Sequence, residues 1–273
     1  MEHSIFYSII VVCLNPGNRL METIESITSQ NYGKYEIIVK DGLSTDGSLA
    51  KLQTEAAKVD SRIAIYEETD AGIYDAMNQA VKYAKGDYLL FLNAGDSFYD
   101  KDVLNKITGV ILKDRPDIVY GNIYHKALES VIQSAPYIND FTCYRNVPCH
   151  QTCFYSRELF AKRGYNPIYN VRADYEHFLW CYYKKRAKIQ YAAVTVAAYE
   201  GGGYSETAEN RKKSAQQHKE ITRFYMGRAK ACKYRMLMIL SLAPLRTKMA
   251  ESEKFSGVYN RIKSTIYKLR NGK

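Results

Sequence analysis

The sequence predicts an α/β fold: one domain on a mostly parallel central sheet with helices on both faces, extended by a basic, helical C-terminal tail. Three observations lead there. Short apolar runs alternate with amphipathic stretches, each of the first runs ends in a tip of Asn, Asp and Gly, and the whole positive excess of the chain lies after residue 227. Alternation of strand and helix is the pattern of βαβ units and a parallel sheet. At 273 residues and 46% hydrophobic content the chain is large enough to bury a substantial core.

Residues 8–14 are a β-branched run ending in Asn15-Pro16-Gly17-Asn18, and a helical pattern covers 19–30. Residues 36–39 are a second strand, ending in Lys40-Asp41-Gly42-Leu43-Ser44-Thr45-Asp46-Gly47, with a helix over 48–58. The stretch 69–96 is the most informative. Ile73, Met77, Ala80, Val81 and Ala84 give one apolar helical face, Gly86 ends the helix, and residues 88–92 are an unbroken apolar strand. That strand stops at Asn93-Ala94-Gly95-Asp96. Asn15, Asp41 and Asp96 therefore share one sheet edge, and open α/β sheets bind ligands at the carboxyl ends of their strands. Each signal has a plainer structural alternative: Asp41-Gly42 as a turn, Asp46 as a helix N-cap, Asp96 as the start of the next helix.

Further along, Val171-Arg172-Ala173-Asp174-Tyr175-Glu176-His177 has the form of a helix start with an acid at its front. Asp174 is the candidate general base, Glu176 its nearest rival, and an N-capping role the alternative. Pro148-Cys149-His150-Gln151-Thr152-Cys153 is a polar island, in which His150 either faces the cleft or is a satisfied core histidine. Cys149-His150 with Cys153 lacks partners at zinc-ligand spacing. Gly201-Gly202-Gly203-Tyr204-Ser205, after a strand-like 189–198, reads as a closing loop or a plain connection.

Three of these segments together carry a resemblance: Val39-Lys40-Asp41-Gly42 through Ser44-Thr45-Asp46-Gly47, Gly72-Ile73-Tyr74-Asp75-Ala76-Met77-Asn78, and Gly86-Asp87-Tyr88 through Asn93-Ala94-Gly95-Asp96. The chain resembles the family 2 glycosyltransferases of the GT-A fold over about residues 5–210, most specifically in the first half. The resemblance implies inverting transfer of a sugar from a nucleotide diphosphate-sugar to an acceptor hydroxyl. It implies that Asp41 holds the nucleoside base, that Asp46 supports that turn, and that Asp70 and Asn78 line the donor pocket with Asn15, Asn93 and His150. Asp174 is the catalytic base by the same likeness. The family's metal motif is usually Asp-x-Asp, whereas here Asn93-Ala94-Gly95-Asp96 leaves Asp96 as the one certain carboxylate for Mn²⁺ or Mg²⁺. A cation whose shell is completed by diphosphate oxygens and water needs few protein ligands. The Asn-x-Gly-Asp variant resembles capsule and lipopolysaccharide side-chain enzymes, which implies surface polysaccharide biosynthesis. The implied halves are residues 1–98 for the nucleotide-sugar and 99–210 for the acceptor, with 211–273 as the extension.

Net charge is +10, from 39 Lys+Arg and 29 Asp+Glu. Residues 228–273 carry twelve basic side chains against two acidic ones, so the preceding chain is neutral. Within that tail, Met236-Leu237-Met238-Ile239-Leu240-Ser241-Leu242-Ala243-Pro244-Leu245 is apolar between Arg235 and Arg246. It is too short to span a bilayer, which needs about 20 residues, and suits a membrane surface with anionic headgroups. Alternatives for the tail are packing in a homo-oligomer and nucleic-acid binding, with Tyr234, Tyr259 and Tyr267 stacking on bases. The six cysteines lack the spacing of a disulfide framework, which fits reduced thiols, and the N-terminus has no basic signal-peptide start. The expected setting is cytoplasmic, peripheral at the inner membrane face, with a polyprenyl-linked glycan as acceptor. The competing classes are a nucleotidyltransferase and a non-catalytic nucleotide- or nucleic-acid-binding module.

Overall fold

In the computed structural model, residues 4–55, 60–199, 201 and 207–240 are described. Strand β1 (Tyr7–Cys13) is buried along nearly its whole length, the mark of a strand covered on both faces. It pairs in parallel with β2 (Tyr35–Asp41) and with β4 (Tyr88–Phe91), and β2 pairs in parallel with β3 (Ile63–Glu67). Between them run α1 (Arg19–Thr28), α2 (Ser48–Glu55) and α3 (Ile73–Val81). The expected helix over 48–58 is described as far as Glu55; the rest of that expectation lies outside the described residues.

The chain then forms β5 (Ser97–Phe98), α4 (Val103–Asp114), β6 (Ile118–His125) and β7 (Ser130–Ile132). After α5 (Asp140–Arg145) and a 3₁₀ turn at His150–Thr152 come β8 (Cys153–Ser156), α6 (Arg157–Lys162) and α7 (Ala173–Trp180). Strand β9 (Ile189–Tyr199) closes the sheet, whose order is β3-β2-β1-β4-β8-β6-β9-β5, with β7 beside β6. Strand β8 is antiparallel to both β4 and β6, while β9 is parallel to β6. Six of the nine described strands therefore point one way, and β5, β7 and β8 run against them.

The pleat divides the core. Ile9, Val11, Ile37, Val39 and Leu90 pack with Leu20, Ile24 and Ile27 of α1 and Leu104 and Ile107 of α4. On the opposite face α3 lies over β1 and β2, and Phe91 meets Phe160 and Tyr165 at ring separations of 5.1 and 5.3 Å. Burying these side chains, at about 1.5–3 kcal/mol each, is the main stabilising contribution to the sheet.

Two glycines are required by close approach. A Cβ on Gly86 would sit 2.4 Å from the Ser8 nitrogen, and one on Gly121 2.3 Å from the Val194 oxygen, where the β6–β9 ladder shifts register. Gly86 thus lets the chain enter β4 against the start of β1, where Ser8 Oγ accepts from the Gly86 nitrogen and donates to Glu36.

The contacts of the chain divide after Ile221. Helix α8 (Ala208–Met226) runs across that division, and α9 (Arg228–Leu240) comes after Gly227, whose φ is +80°. Met236, Leu237, Ile239 and Leu240 of α9 are exposed. Most of the expected apolar segment after Leu240, the basic residues beyond it, and the glycine loop after Gly201 lie outside the described residues. No described helix is long and apolar enough to cross a membrane.

Candidate active site

Because β2, β1 and β4 are parallel neighbours, their carboxyl ends lie side by side, and the polar tips form two groups there. The first is at β1 and β2. Asp41 is fully buried; its Oδ1 accepts from the Ser44 nitrogen at 2.6 Å and its Oδ2 from Ser44 Oγ at 2.6 Å. The Cys13 thiol donates to the same Oδ2 at 3.3 Å, and burial, then the Asp41 charge, push that thiol up and keep it protonated. Asn15 ties the two tips together, its nitrogen donating to Ser44 Oγ and its Oδ1 accepting from the Thr45 nitrogen. Asp46 does the same from the other side. It accepts from the Gly17 nitrogen at 2.7 Å and from the nitrogen and hydroxyl of Ser48, and the Ser48 bond leads in holding its carboxyl below the usual range. Asn15 (φ 48°) and Leu43 (φ 69°) are left-handed, a strain concentrated in this turn pair.

Beneath the turns lies a residue that the sequence motifs do not single out. Lys40 is fully buried within β2, and its ammonium donates to the carbonyls of Asp41 and Glu68 and to Asp70 Oδ2 at 3.3 Å. A buried ammonium is tolerated when its protons are all met. Here they fix the end of β3 and Asp70 against the Asp41 turn. A Cβ on Gly42 would sit 2.9 Å from Asp70 Oδ2, so that carboxylate packs directly on the glycine.

The second group lines a cleft of about 590 Å³ that Asn93, Asp96, His150 and Asp174 share with Arg19, Tyr74 and Tyr199. Helix α1 holds the β4 tip: Thr23, fully buried, donates to the Asp96 carbonyl at 2.7 Å and accepts from the Gly95 nitrogen at 2.9 Å. Gly95 takes φ +106°, which only glycine adopts freely. Asp96 does not start a helix: β5 comes directly after it, and α4 begins only at Val103. Burial pushes the Asp96 carboxyl up to about 6, against the pull of the His150 charge and of Gln151.

Across the cleft, Asp174 sits in the first turn of α7, with Glu176 turned instead to an ion pair with Arg163. Asp174 Oδ1 accepts from the Tyr74 hydroxyl at 2.8 Å and from the Tyr175 nitrogen at 2.8 Å, and Oδ2 lies 3.3 Å from His150 Nδ1. His150 Nε2 lies 3.2 Å from Asn93 Nδ2. Its other ring nitrogen, Nδ1, is thus the one that faces Asp174. Burial raises the Asp174 carboxyl, but the His150 bond and charge and the Tyr74 and Tyr175 bonds outweigh it, so it is held below the usual range and is ionised at neutral pH.

The structure thus brings Asn93, Asp96, His150 and Asp174 into one cleft, and gathers Asn15, Asp41, Asp46 and Asp70 in the adjoining turn group. It does not bring Asn78 to either. Its Nδ2 donates to the Tyr165 carbonyl at 2.9 Å and its Oδ1 accepts from the Tyr165 nitrogen at 2.7 Å, so α3 presents that amide to the segment after α6, away from the cleft. A Cβ on Gly164 would meet Asn78 Oδ1 at 2.4 Å, so that amide oxygen packs directly on the glycine.

The donors at the β4 tip fit a hard divalent cation that takes part of its shell from a substrate. Asn93 Oδ1 is buried without a hydrogen-bond partner beside Asp96, and both offer oxygen, the ligand type Mg²⁺ and Mn²⁺ favour. Among the described residues no group of three His, Cys, Asp or Glu side chains forms a closed metal cage.

Residues 8–178 match the family profile Glycosyl transferase family 2. A PGL/p-HBAD biosynthesis glycosyltransferase of Mycobacterium bovis is 37% identical over 204 residues, 74% of this chain and 79% of the relative. An uncharacterized glycosyltransferase of Mycobacterium tuberculosis is 32% identical over 179 residues, 63% of this chain and 67% of its own. Among solved structures, S. aureus TarS 1–349 superposes with TM-score 0.62 at 20% identity, covering 81% of this chain, which spans 64% of that one. The mannosyltransferase PcManGT of Pyrobaculum calidifontis, in complex with GDP-Man and Mn²⁺, superposes with TM-score 0.62 at 16% identity over 95% of this chain and 84% of its own. At these identities the structural likeness is one of fold.

Proposed function

The chain belongs to glycosyl transferase family 2 and has a GT-A-type fold, and from that premise we propose that it moves a sugar from a nucleotide diphosphate-sugar to an acceptor hydroxyl with inversion. The observation that carries the reading is the ionised Asp174 carboxylate facing the Asn93–Asp96 tip across one cleft. Asp174 takes the acceptor proton as the hydroxyl oxygen bonds to the anomeric carbon. The bond to the diphosphate breaks on the opposite side. Asp96, with the Asn93 amide oxygen beside it, would hold a divalent cation (Mn²⁺ or Mg²⁺), which when bound supplies positive charge to the departing diphosphate.

Asn15, Asp41, Asp46 and Asp70 build the nucleoside end in this reading. Asp41 has no exposed surface, so a base reaches it only when the Ser44 turn moves, or else rests on the turn that Asp41 holds. Two fold neighbours are complexes with UDP-GlcNAc and GDP-Man, which supports a nucleotide-sugar at this edge. A nucleotidyltransferase would want a glycine-rich basic loop after β1, which Asn15-Pro16-Gly17-Asn18 does not supply.

The finer proposal is a role in surface polysaccharide assembly at the cytoplasmic membrane face, on a lipid-linked glycan. Its support is the tail: the whole net charge of +10 lies after residue 227, beside exposed apolar side chains of α9. A ligand that binds the native state raises its melting temperature by mass action. UDP-, GDP- and dTDP-sugars are therefore screened for thermal stabilisation with and without Mn²⁺. One nucleotide class should shift the melt, with metal, and lose the shift in Asp96→Ala; silence from every donor would overturn the reading.

A further inference from the structure

We infer that Tyr74 is a positioning residue for the reaction: from the donor-side half of the domain, its hydroxyl fixes Asp174 Oδ1 and leaves Oδ2 as the oxygen that receives the acceptor proton. The inference deepens the glycosyltransferase reading and rests on it for the identity of the reaction, though not for the geometry.

Lone pairs decide which oxygen reacts. A carboxylate oxygen accepts two hydrogen bonds in its plane. Both places on Oδ1 are taken, by the Tyr74 hydroxyl at 2.8 Å and the Tyr175 nitrogen at 2.8 Å. Oδ2 has the single, longer bond to His150 Nδ1 at 3.3 Å, and keeps one place open in the cleft. A carboxylate held at one oxygen by two short bonds cannot turn about its Cβ–Cγ axis without breaking both. The acceptor proton then meets a fixed target.

Both side-chain arms tie Asp174 to the donor side. Tyr74 lies four residues beyond Asp70, in the first turn of α3, whereas His150 is bound to Asn93 at the β4 tip. The carboxylate is thereby registered against the segments that would hold the leaving group, although α7 is far from both in sequence. Tyr74 is itself buried and its pKa is raised, by burial and then by the Asp174 charge, so it remains a phenol that can only donate to the carboxylate. Tyr155, Tyr165, Cys149 and Cys153, which also feel the Asp174 charge, are all raised by burial and hence neutral. Asp96, Arg19, Arg172 and Tyr175 line the same cleft, and among the described residues His150 is the basic side chain within 4 Å of the carboxylate.

The test removes one oxygen atom. In Tyr74→Phe, the Asp174 carboxyl, followed by ¹³C NMR with Asp174→Asn to assign the signal, should titrate at higher pH than in the wild type. Sugar transfer should lose about tenfold to a hundredfold in kcat, the range for a misplaced reacting group, with the donor-induced melting shift unchanged. In the Asp174→Asn background the same change should cost nothing further. An unmoved carboxyl titration would overturn the clamp whether or not any donor is turned over. A moved titration with unaltered kcat would overturn the positioning role. Failure of the wild type to transfer from any donor is a separate result, and bears on the function instead.

Discussion

Replacing Asp96 by Asn should stabilise the ligand-free protein while removing its donor binding, and the structure sets the size of the effect. Burial pushes this carboxyl from its ordinary 3.8 up to about 6. At ~1.36 kcal/mol per pH unit the difference is worth about 3 kcal/mol between the two protonation states. The sign comes from linkage. A carboxyl with a raised folded-state pKa binds its proton more tightly when folded, so its favourable contribution is complete below the unfolded value near 3.8 and is lost as pH rises through about 6. Above that point the folded protein carries a half-buried charge at full cost. Asn has no charge to bury. The melting temperatures of Asp96→Asn and wild type should therefore lie close together near pH 4 and separate as pH rises. With ~2–4 °C per kcal/mol for a domain of this size, the separation above neutrality should approach about 6–12 °C. Differential scanning fluorimetry across pH in the absence of metal and nucleotide measures it. Adding Mn²⁺ and the cognate donor should reverse the order, since in the proposed function it is the carboxylate that holds the cation. Two melting curves that run parallel across the whole pH range would show that the charge of Asp96 is not costly, and would refute the argument. The same reasoning makes function destabilising at this one position, as expected where a site must keep a costly buried charge for its ligand.

Two further outcomes separate structure from chemistry. Asn78→Ala leaves the buried nitrogen and carbonyl of Tyr165 without partners, which should cost about 2–6 kcal/mol at ~1–3 kcal/mol per unsatisfied group; urea unfolding should record that loss, while the donor-induced melting shift is retained. Deleting residues 228–273 removes twelve basic side chains and should lower co-sedimentation with anionic lipid vesicles without altering the donor shift; undiminished sedimentation would rule out the tail as the membrane contact.

The parallel half of this fold is legible in the sequence because each of its signals is local. Strands β1, β2 and β4 are apolar runs buried on both faces, each ended by residues that must turn, and α1 and α3 carry their apolar stripe at helical spacing. The strands that escape such a reading are short or interrupted. Strand β5 has two residues, β7 is exposed throughout, and β6 breaks its apolar run at Gly121 and Asn122, where Gly121 admits the Val194 carbonyl. The site divides along the same line. Carboxylates at strand tips and at a helix start announce themselves by residue type and position, so Asp41, Asp96 and Asp174 can be singled out without a structure. What gives each its chemical state cannot. Tyr74 and Asp174 are 100 residues apart, Asn93 and His150 are 57 apart, and Thr23 reaches the Gly95 nitrogen across 72. Asn78 misleads for the converse reason: it belongs to a segment that resembles a donor site, and only the packing of Tyr165 against α3 reveals what its amide binds. Lys40 offers a local clue, a charge inside a strand buried on both faces, and such a residue needs acceptors at the strand's end. The general consequence is that type and position locate an ionisable group, whereas its pKa and its free lone pair belong to distant neighbours. A conservative change in one of those neighbours, such as loss of the Tyr74 hydroxyl, is therefore the sharper probe of this site than removal of the carboxylate itself.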